Sequence, residues 1–279
     1  MKHHMRFKNT IRNVAVMAGI CLCLYPVLSS FLEGEHLKNV VSTYESSVEK
    51  VKEEEAEQML HDAEEYNDIL YQEAGSIGSK PREERLHEKR YENLLNLSDT
   101  GIMGTIEIPK ISVNLPIYHG TTEEVLSIGI GHLEGSSLPV GGKNTHSILT
   151  GHRGLPNAKL FTRLDELEKG DLFYIQVGNK TLAYRVNDIK VIKPEDAEEL
   201  SIKADKDEVS LITCTPYGIN SHRLVVTGER TKYKDTEYLA IEPRAASIRE
   251  IGFLLLPCIM AGAVTAKYIK ERKERECAK

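Results

Sequence analysis

Three textures of apolar and polar positions follow one another along the chain. The first is an uncharged run of 19 residues from Val14 to Leu32, VAVMAGICLCLYPVLSSFL. As a helix it extends roughly 28 Å, close to one hydrocarbon core, and predicts a transmembrane helix over 14–32 with a kink at Pro26. A cleavable signal peptide is the rival reading. No clear small-x-small site follows the run, which favours an uncleaved anchor. A second uncharged run, 16 residues from Ile251 to Ala266, stands near the other end. It extends roughly 24 Å and contains Pro257, so it fits either a second span over 251–266 or a buried core helix. The basic tail beginning at Lys267 favours the span.

The second texture is helical. Val40, Tyr44, Val48 and Val51 recur at three- and four-residue spacing, and Met59, Ala63, Tyr66 and Leu70 continue the stripe, predicting helix over 36–70. Glu53, Glu54, Glu55, Glu57, Glu64 and Glu65 read as a solvated face. Gly75, Ser76, Gly78, Ser79 and Pro81 break the pattern, and a short helical piece is expected from Glu83 to Leu95.

The third texture begins at Gly104. Short alternating runs occupy 105–108, 113–117, 146–149, 172–177, 182–186, 189–192, 209–214 and 224–227, separated by Gly, Pro, Asn and Asp. Val177-Gly178-Asn179-Lys180 reads as a tight hairpin, and Leu160–Leu167 as a helical turn. Eight short strands in this span predict a closed β-barrel. The expected fold class is mainly β: an eight-stranded barrel with N-terminal helices and flanking transmembrane helices.

Charge adds an orientation. The net charge of −6 hides a partition. Residues 1–32 carry Lys2, Arg6, Lys8 and Arg12 and no acid, and residues 251–279 carry six basic residues against three acids. The stretch 33–250 then holds 26 basic and 39 acidic residues. Basic flanks face the cytoplasm, which puts the acidic middle outside and gives a multi-pass cell-membrane protein whose main domain is extracytoplasmic. The expected organisation is a cytoplasmic N-terminus over 1–13, a span over 14–32 and an extracytoplasmic helical region over 33–97. The barrel follows over 98–232, then a linker over 233–250, a span over 251–266 and a basic tail over 267–279. The acidic balance argues against a nucleic-acid partner. His3 and His4 are given no metal role.

Five cysteines rule out a disulfide-dense scaffold. Only Cys214 lies in 33–250, so no internal disulfide forms there. A lone thiol is either buried and inert or has chemistry to perform. Cys214 ends the strand Val209–Cys214, and the next strand opens near His222-Arg223-Leu224. In an antiparallel pair, the thiol and the Arg223 guanidinium can face one another, where the cation favours thiolate and can bind an oxyanion. Strand alternation points His222 to the opposite face from Arg223. A thiolate also needs a group to move protons. His36, His61, His87, His119, His132, His146, His152 and His222 are all available. His152 has the best setting, at a strand end between Gly151 and Gly154. Arg153 is a second candidate oxyanion donor, with a solvated loop charge as the plainer reading.

These residues carry a resemblance. Ser210-Leu211-Ile212-Thr213-Cys214 is similar to the Thr-Leu-x-Thr-Cys signature of sortases. Thr215-Pro216-Tyr217-Gly218-Ile219-Asn220-Ser221-His222-Arg223 resembles its continuation in the class C, pilin-polymerising sortases. Leu149-Thr150-Gly151-His152-Arg153-Gly154 resembles the family's His segment, and 101–111 and 131–139 resemble further class C stretches. The resemblance covers about residues 98–230 and implies a sortase-type barrel.

It implies a cysteine transpeptidase with Cys214 as nucleophile, His152 as proton carrier and Arg223 as oxyanion donor. Cys214 would attack the Thr carbonyl of a Leu-Pro-x-Thr-Gly-like sorting signal of a pilin. A Lys of the next pilin would take the acyl group as an isopeptide. No cofactor and no metal is expected, because a thiolate is a competent nucleophile alone. The implied partners are pilin subunits, the acceptor Lys and the lipid bilayer.

Two departures stand out. Ser210 replaces the usual Thr, and no Asp-Pro-aromatic lid motif occurs anywhere in the chain, so a lidless site is expected. Other readings stay open: a housekeeping sortase that attaches surface proteins to peptidoglycan, a thiol protease whose acyl-enzyme goes to water, and a non-catalytic anchored binding module.

Overall fold

The computed structural model describes residues 2–74, 91–96, 100–155, 158–196, 200–245 and 248–277. The described chain divides into two compact units, residues 34–244 and the terminal stretches up to Glu33 and from Ala245 onward.

The larger unit is built on a closed barrel of eight strands: β1 Ile102–Ile108, β2 Val113–His119, β3 Ile130–His132, β4 Thr145–Thr150, β5 Leu172–Val177, β6 Lys180–Ile192, β7 Asp207–Thr215 and β8 His222–Thr231. They close in the order β1-β2-β3-β4-β7-β8-β6-β5. The β2–β3 and β4–β7 pairs are parallel and the others antiparallel. Alternation turns Ile106, Ile108, Ile117, Phe173, Ile175, Tyr184, Val209 and Leu211 into one buried core. Phe173 and Tyr184 stack with centroids 5.5 Å apart. Gly228 of β8 makes room for them, since a Cβ there would collide with Phe173 Cε1.

The β5–β6 hairpin turns where expected, with Val177 opposite Lys180 and Gly178 at φ +56°. Two strand expectations are corrected. The runs 182–186 and 189–192 are one strand, β6, because the Asn187 turn signal is a register shift between Val186 and Asp188 that the ladder to β8 absorbs. β3 went unpredicted, being three residues flanked and interrupted by glycine. The turn expected at 160–167 is a 3₁₀ turn over Leu164–Glu166.

The helix expected over 36–70 is two helices, α1 Lys2–Val48 and α2 Glu53–Ala74. The acids read as a solvated face include Glu53, Glu54 and Glu55, which form the first turn of α2, where the helix dipole favours negative charge. Leu37, Val41 and Tyr44 of α1 and Ala56, Leu60, Ala63, Tyr66 and Leu70 of α2 are buried. The Tyr44 hydroxyl donates to the Met103 carbonyl at 3.2 Å. Asn67 fixes α2 to the barrel loop twice, donating to the Leu138 carbonyl at 3.1 Å and accepting from its N–H at 2.7 Å. The Glu83–Leu95 piece is described only from Tyr91, where a 3₁₀ turn covers Tyr91–Asn93. Short helices complete the unit: α3, Glu123–Ile128, between β2 and β3, and α4, Asp235–Leu239, after β8.

In the terminal unit, α1 contains the first uncharged run and α5, Ile248–Cys277, the second. Val14, Met17, Leu22, Leu28, Phe31, Leu255 and Ile259 are exposed. Among the described residues no helix is long and apolar enough to cross a membrane, so the spans expected over 14–32 and 251–266 are not supported. The second run is 16 residues, shorter than the roughly 20 a bilayer core requires.

Candidate active site

The site is a matter of strand register. β7 lies between β4, its parallel neighbour, and β8, its antiparallel neighbour. On the β8 side Cys214 pairs with Arg223, so the two side chains leave the same face of the sheet at one level. On the β4 side the ladder runs from Thr145 opposite Asp207 to Thr150 opposite Ile212, a constant offset of 62 residues between partners.

That offset continues after β4 ends. The Gly151 N–H donates to the Ile212 carbonyl at 3.0 Å. The Thr213 hydroxyl donates to the Gly151 carbonyl at 2.8 Å, and Arg153 Nη1 donates to Thr215 Oγ1 at 3.1 Å; both pairs are again separated by 62. Cys214 and Arg223 thus face one another across β7 and β8, while the residues on either side of His152, Gly151 and Arg153, are bonded to the residues on either side of Cys214, Thr213 and Thr215.

Cys214 is half-buried and its thiol is free. The His152 side chain is 24% exposed, and its Nε2 lies 3.3 Å from Glu123 Oε1 at the start of α3. Arg223 Nη1 donates to the His222 carbonyl at 3.1 Å and to the Asn220 carbonyl at 3.3 Å. These contacts hold the guanidinium against the β7–β8 loop. A planar fork of donors can bind an oxyanion through the N–H groups left over.

The loop after Cys214 is tight. The N–H groups of Ile219 and Asn220 both donate to the Pro216 carbonyl at 3.0 Å. Asn220 and Gly218 have φ of 60° and 77°, and the Thr215–Pro216 bond is cis. The Tyr217 ring stands 5.9 Å from the Arg153 guanidinium. It also approaches Gly154, where a Cβ would lie 2.9 Å from Tyr217 Cε2 and φ is +83°, so only glycine fits.

Arg153 is corrected from a solvated loop charge. It is 8% exposed and paired with Asp165 of the 3₁₀ turn. Sequence reasoning missed Glu123 and Asp165 as residues around the site; neither carries a local signal, because each reaches it from another segment.

The remaining histidines have other engagements. His222 pairs with Thr215 rather than Cys214, and its Nδ1 is 2.9 Å from Ser221 Oγ. His132 is fully buried: Nε2 donates to the Ser137 carbonyl at 2.9 Å and Nδ1 accepts from the Tyr91 hydroxyl at 2.8 Å. Burial pushes its pKa down to about 4. His146 Nδ1 donates to the Ser201 carbonyl at 3.1 Å, so Nε2 accepts from Ser210 Oγ at 2.7 Å. Burial lowers its pKa as well. The serine that replaces the usual Thr thus has a partner on each side, His146 and, at 2.7 Å, Thr227 Oγ1. His119 Nε2 lies 2.7 Å from the Leu94 carbonyl. His36 and His61 are exposed on α1 and α2. His87 and the segment 75–90, on which the lidless expectation falls, lie outside the described residues.

Comparison with known proteins agrees with this fold. Residues 106–231 match the family model described as a sortase domain. Sortase C1 of Streptococcus agalactiae is 44% identical, with 70% of this chain and 100% of that one covered and a TM-score of 0.64. A Clostridium perfringens sortase C, solved with the C-terminal cell wall sorting motif, is 45% identical over 70% of this chain and 99% of that one, with a TM-score of 0.60. Sortase D of Bacillus subtilis (strain 168) is 33% identical over 130 residues, 46% of this chain and 63% of that protein, so the match spans under two thirds of that relative. The chain belongs to the sortase family, a family of cysteine transpeptidases, and is similar to its class C members.

Proposed function

We propose that the chain is a class C transpeptidase that cleaves an LPXTG-like sorting signal of a pilin and joins the fragment to a Lys of the next pilin. The observation that carries this reading is the pairing of Cys214 with Arg223 across β7 and β8, beside the His152 segment, whose Gly151 and Arg153 are bonded to Thr213 and Thr215. The Cys214 thiolate attacks the Thr carbonyl carbon, and Arg223 donates to the oxyanion that forms. The Thr–Gly C–N bond breaks, and His152 gives its proton to the departing Gly amine. A thioacyl enzyme remains. The Lys Nζ of the acceptor loses a proton to His152 and attacks the thioester carbonyl. The Cys214 thiolate leaves, and an isopeptide bond is made.

Class C neighbours at 38–45% identity, one solved with a sorting motif, support a pilin acceptor over a peptidoglycan amine. The reading places the enzyme at a Gram-positive cell surface; a multi-pass membrane arrangement forms no part of it. The test is incubation of the full chain with pilin subunits. Covalent ladders are expected with the wild type and none with Cys214→Ala. Ladders formed by Cys214→Ala contradict the reading, and free-acid pilin as the main wild-type product favours hydrolysis instead.

A further inference from the structure

Two ties bracket each member of the His152–Cys214 pair. On one side of the pair, Gly151 and Thr213 are joined through the Thr213 hydroxyl. On the other, Arg153 and Thr215 are joined through Nη1 and Oγ1 at 3.1 Å. The first tie lies next to the last rung of the β4–β7 ladder. The second lies past it, where the chain after β4 has left strand conformation. His152 itself reaches none of the β7 residues by hydrogen bond; its side chain meets Glu123, and its carbonyl accepts from the Phe161 N–H at 3.1 Å.

We propose that Arg153 is a positioning residue: by holding Thr215, it fixes His152 at the level of Cys214. The inference rests on the roles proposed above for Cys214 and His152. Arg153 is built for this task. One end of its fork binds Thr215, and the other binds Asp165, which belongs to the 3₁₀ turn over Leu164–Glu166. The Tyr217 ring, from the loop that follows Cys214, stands 5.9 Å from the guanidinium.

One buried side chain therefore joins the loop that bears His152, the loop that follows Cys214 and the turn before β5. Its Nε is buried without a hydrogen-bond partner among the described residues. The contacts are thus concentrated at the two terminal nitrogens, which reach Thr215 and Asp165 together. A lysine ammonium is a single point of charge and cannot occupy both positions of a planar fork. An arginine that only packed the loop would need Asp165 and Tyr217 but not the Thr215 hydroxyl.

The experiment uses the full chain and a fluorogenic Leu-Pro-Glu-Thr-Gly peptide, with steady-state kinetics and a melting curve for each variant. Arg153→Lys and Thr215→Val are each expected to lower kcat about ten- to a hundredfold while KM moves less than about twofold, because misplacement of the proton carrier affects the chemical step and not peptide binding. Thr215→Ser restores most of the loss, since it returns the hydroxyl. The double variant Arg153→Lys/Thr215→Val is no slower than the slower single variant, because both remove one contact. Thr215→Val keeps the side-chain volume, so it decides the matter if Arg153→Lys fails to fold.

Normal kcat in folded Thr215→Val overturns the inference, as does a loss confined to KM or a double variant whose losses multiply. A wild-type chain with no Cys214-dependent cleavage overturns the underlying reading instead, so the two failures are distinguishable.

Discussion

The two ends of the β4–β7 ladder use the same kinds of residue in opposite ways. At the start, His146 has both ring nitrogens engaged, by the Ser201 carbonyl and the Ser210 hydroxyl, and Ser210 is itself held by Thr227. Glu208 is buried and paired with Lys203 at 2.9 Å. Polar groups there are closed into a network, and burial keeps the imidazole neutral. Past the far end, His152 is partly exposed and the Cys214 thiol is free, while the residues next to them carry the ties. A closed network stabilises; a set of reactive groups needs its fixing contacts on its neighbours. His146 lies within β4, whereas His152, six residues on, lies past the end of the strand with its side chain partly exposed.

The comparison can be broken most severely at Arg223. Arg223→Lys keeps the charge and loses the fork, and is expected to reduce turnover of the sorting peptide by about 10²–10³, the usual cost of losing an oxyanion donor. Near-normal turnover would remove Arg223 from the chemistry.

Acid sharpens the other side of the comparison. His132 is neutral in the fold, with a pKa lowered to about 4, and unfolded histidine titrates near 6.5. Between those values the unfolded chain holds the extra proton, so stability present above the unfolded pKa is lost as pH falls through this window. His146, lowered in the same direction, adds to the loss. The shift at His132 corresponds to about 3 kcal/mol at most. Melting temperature measured from pH 7 down to pH 4 should fall, and His132→Gln should flatten the decline. A melting temperature that rises on acidification contradicts the neutral assignment.

Glu123 is the smallest expected effect. Its carboxylate is exposed, so Glu123→Gln is expected to change kcat by less than about threefold, in keeping with a screened surface pair. A larger loss would give Glu123 a share in orienting His152.

Much of the barrel was legible because strand alternation is local. Leu172–Val177 and its hairpin could be read directly, whereas β3 could not, since three residues around Gly131 show no period and are made a strand only by β2 and β4. Asn187 looked like a turn because its register shift is absorbed by β8, which lies far along the chain. Cys214 facing Arg223 was legible from one hairpin-like connection. His152 was not legible by mechanics alone. Its place depends on parallel pairing of β4 with β7 at an offset of 62, a long-range fact that only resemblance to a family could supply in advance. Arg153 was misread for the same reason, since its partners Thr215 and Asp165 lie on other segments. For the terminal runs, a count of uncharged residues pointed to two spans that the described helices do not support.

The most direct measurement is intact-protein and peptide mass spectrometry of the full chain quenched during turnover of a sorting-signal peptide. The account predicts a mass increase equal to the peptide up to its Thr residue, located on Cys214 by fragmentation, that disappears when an amine acceptor is added. Turnover without any such adduct, or an adduct located on another residue, contradicts it.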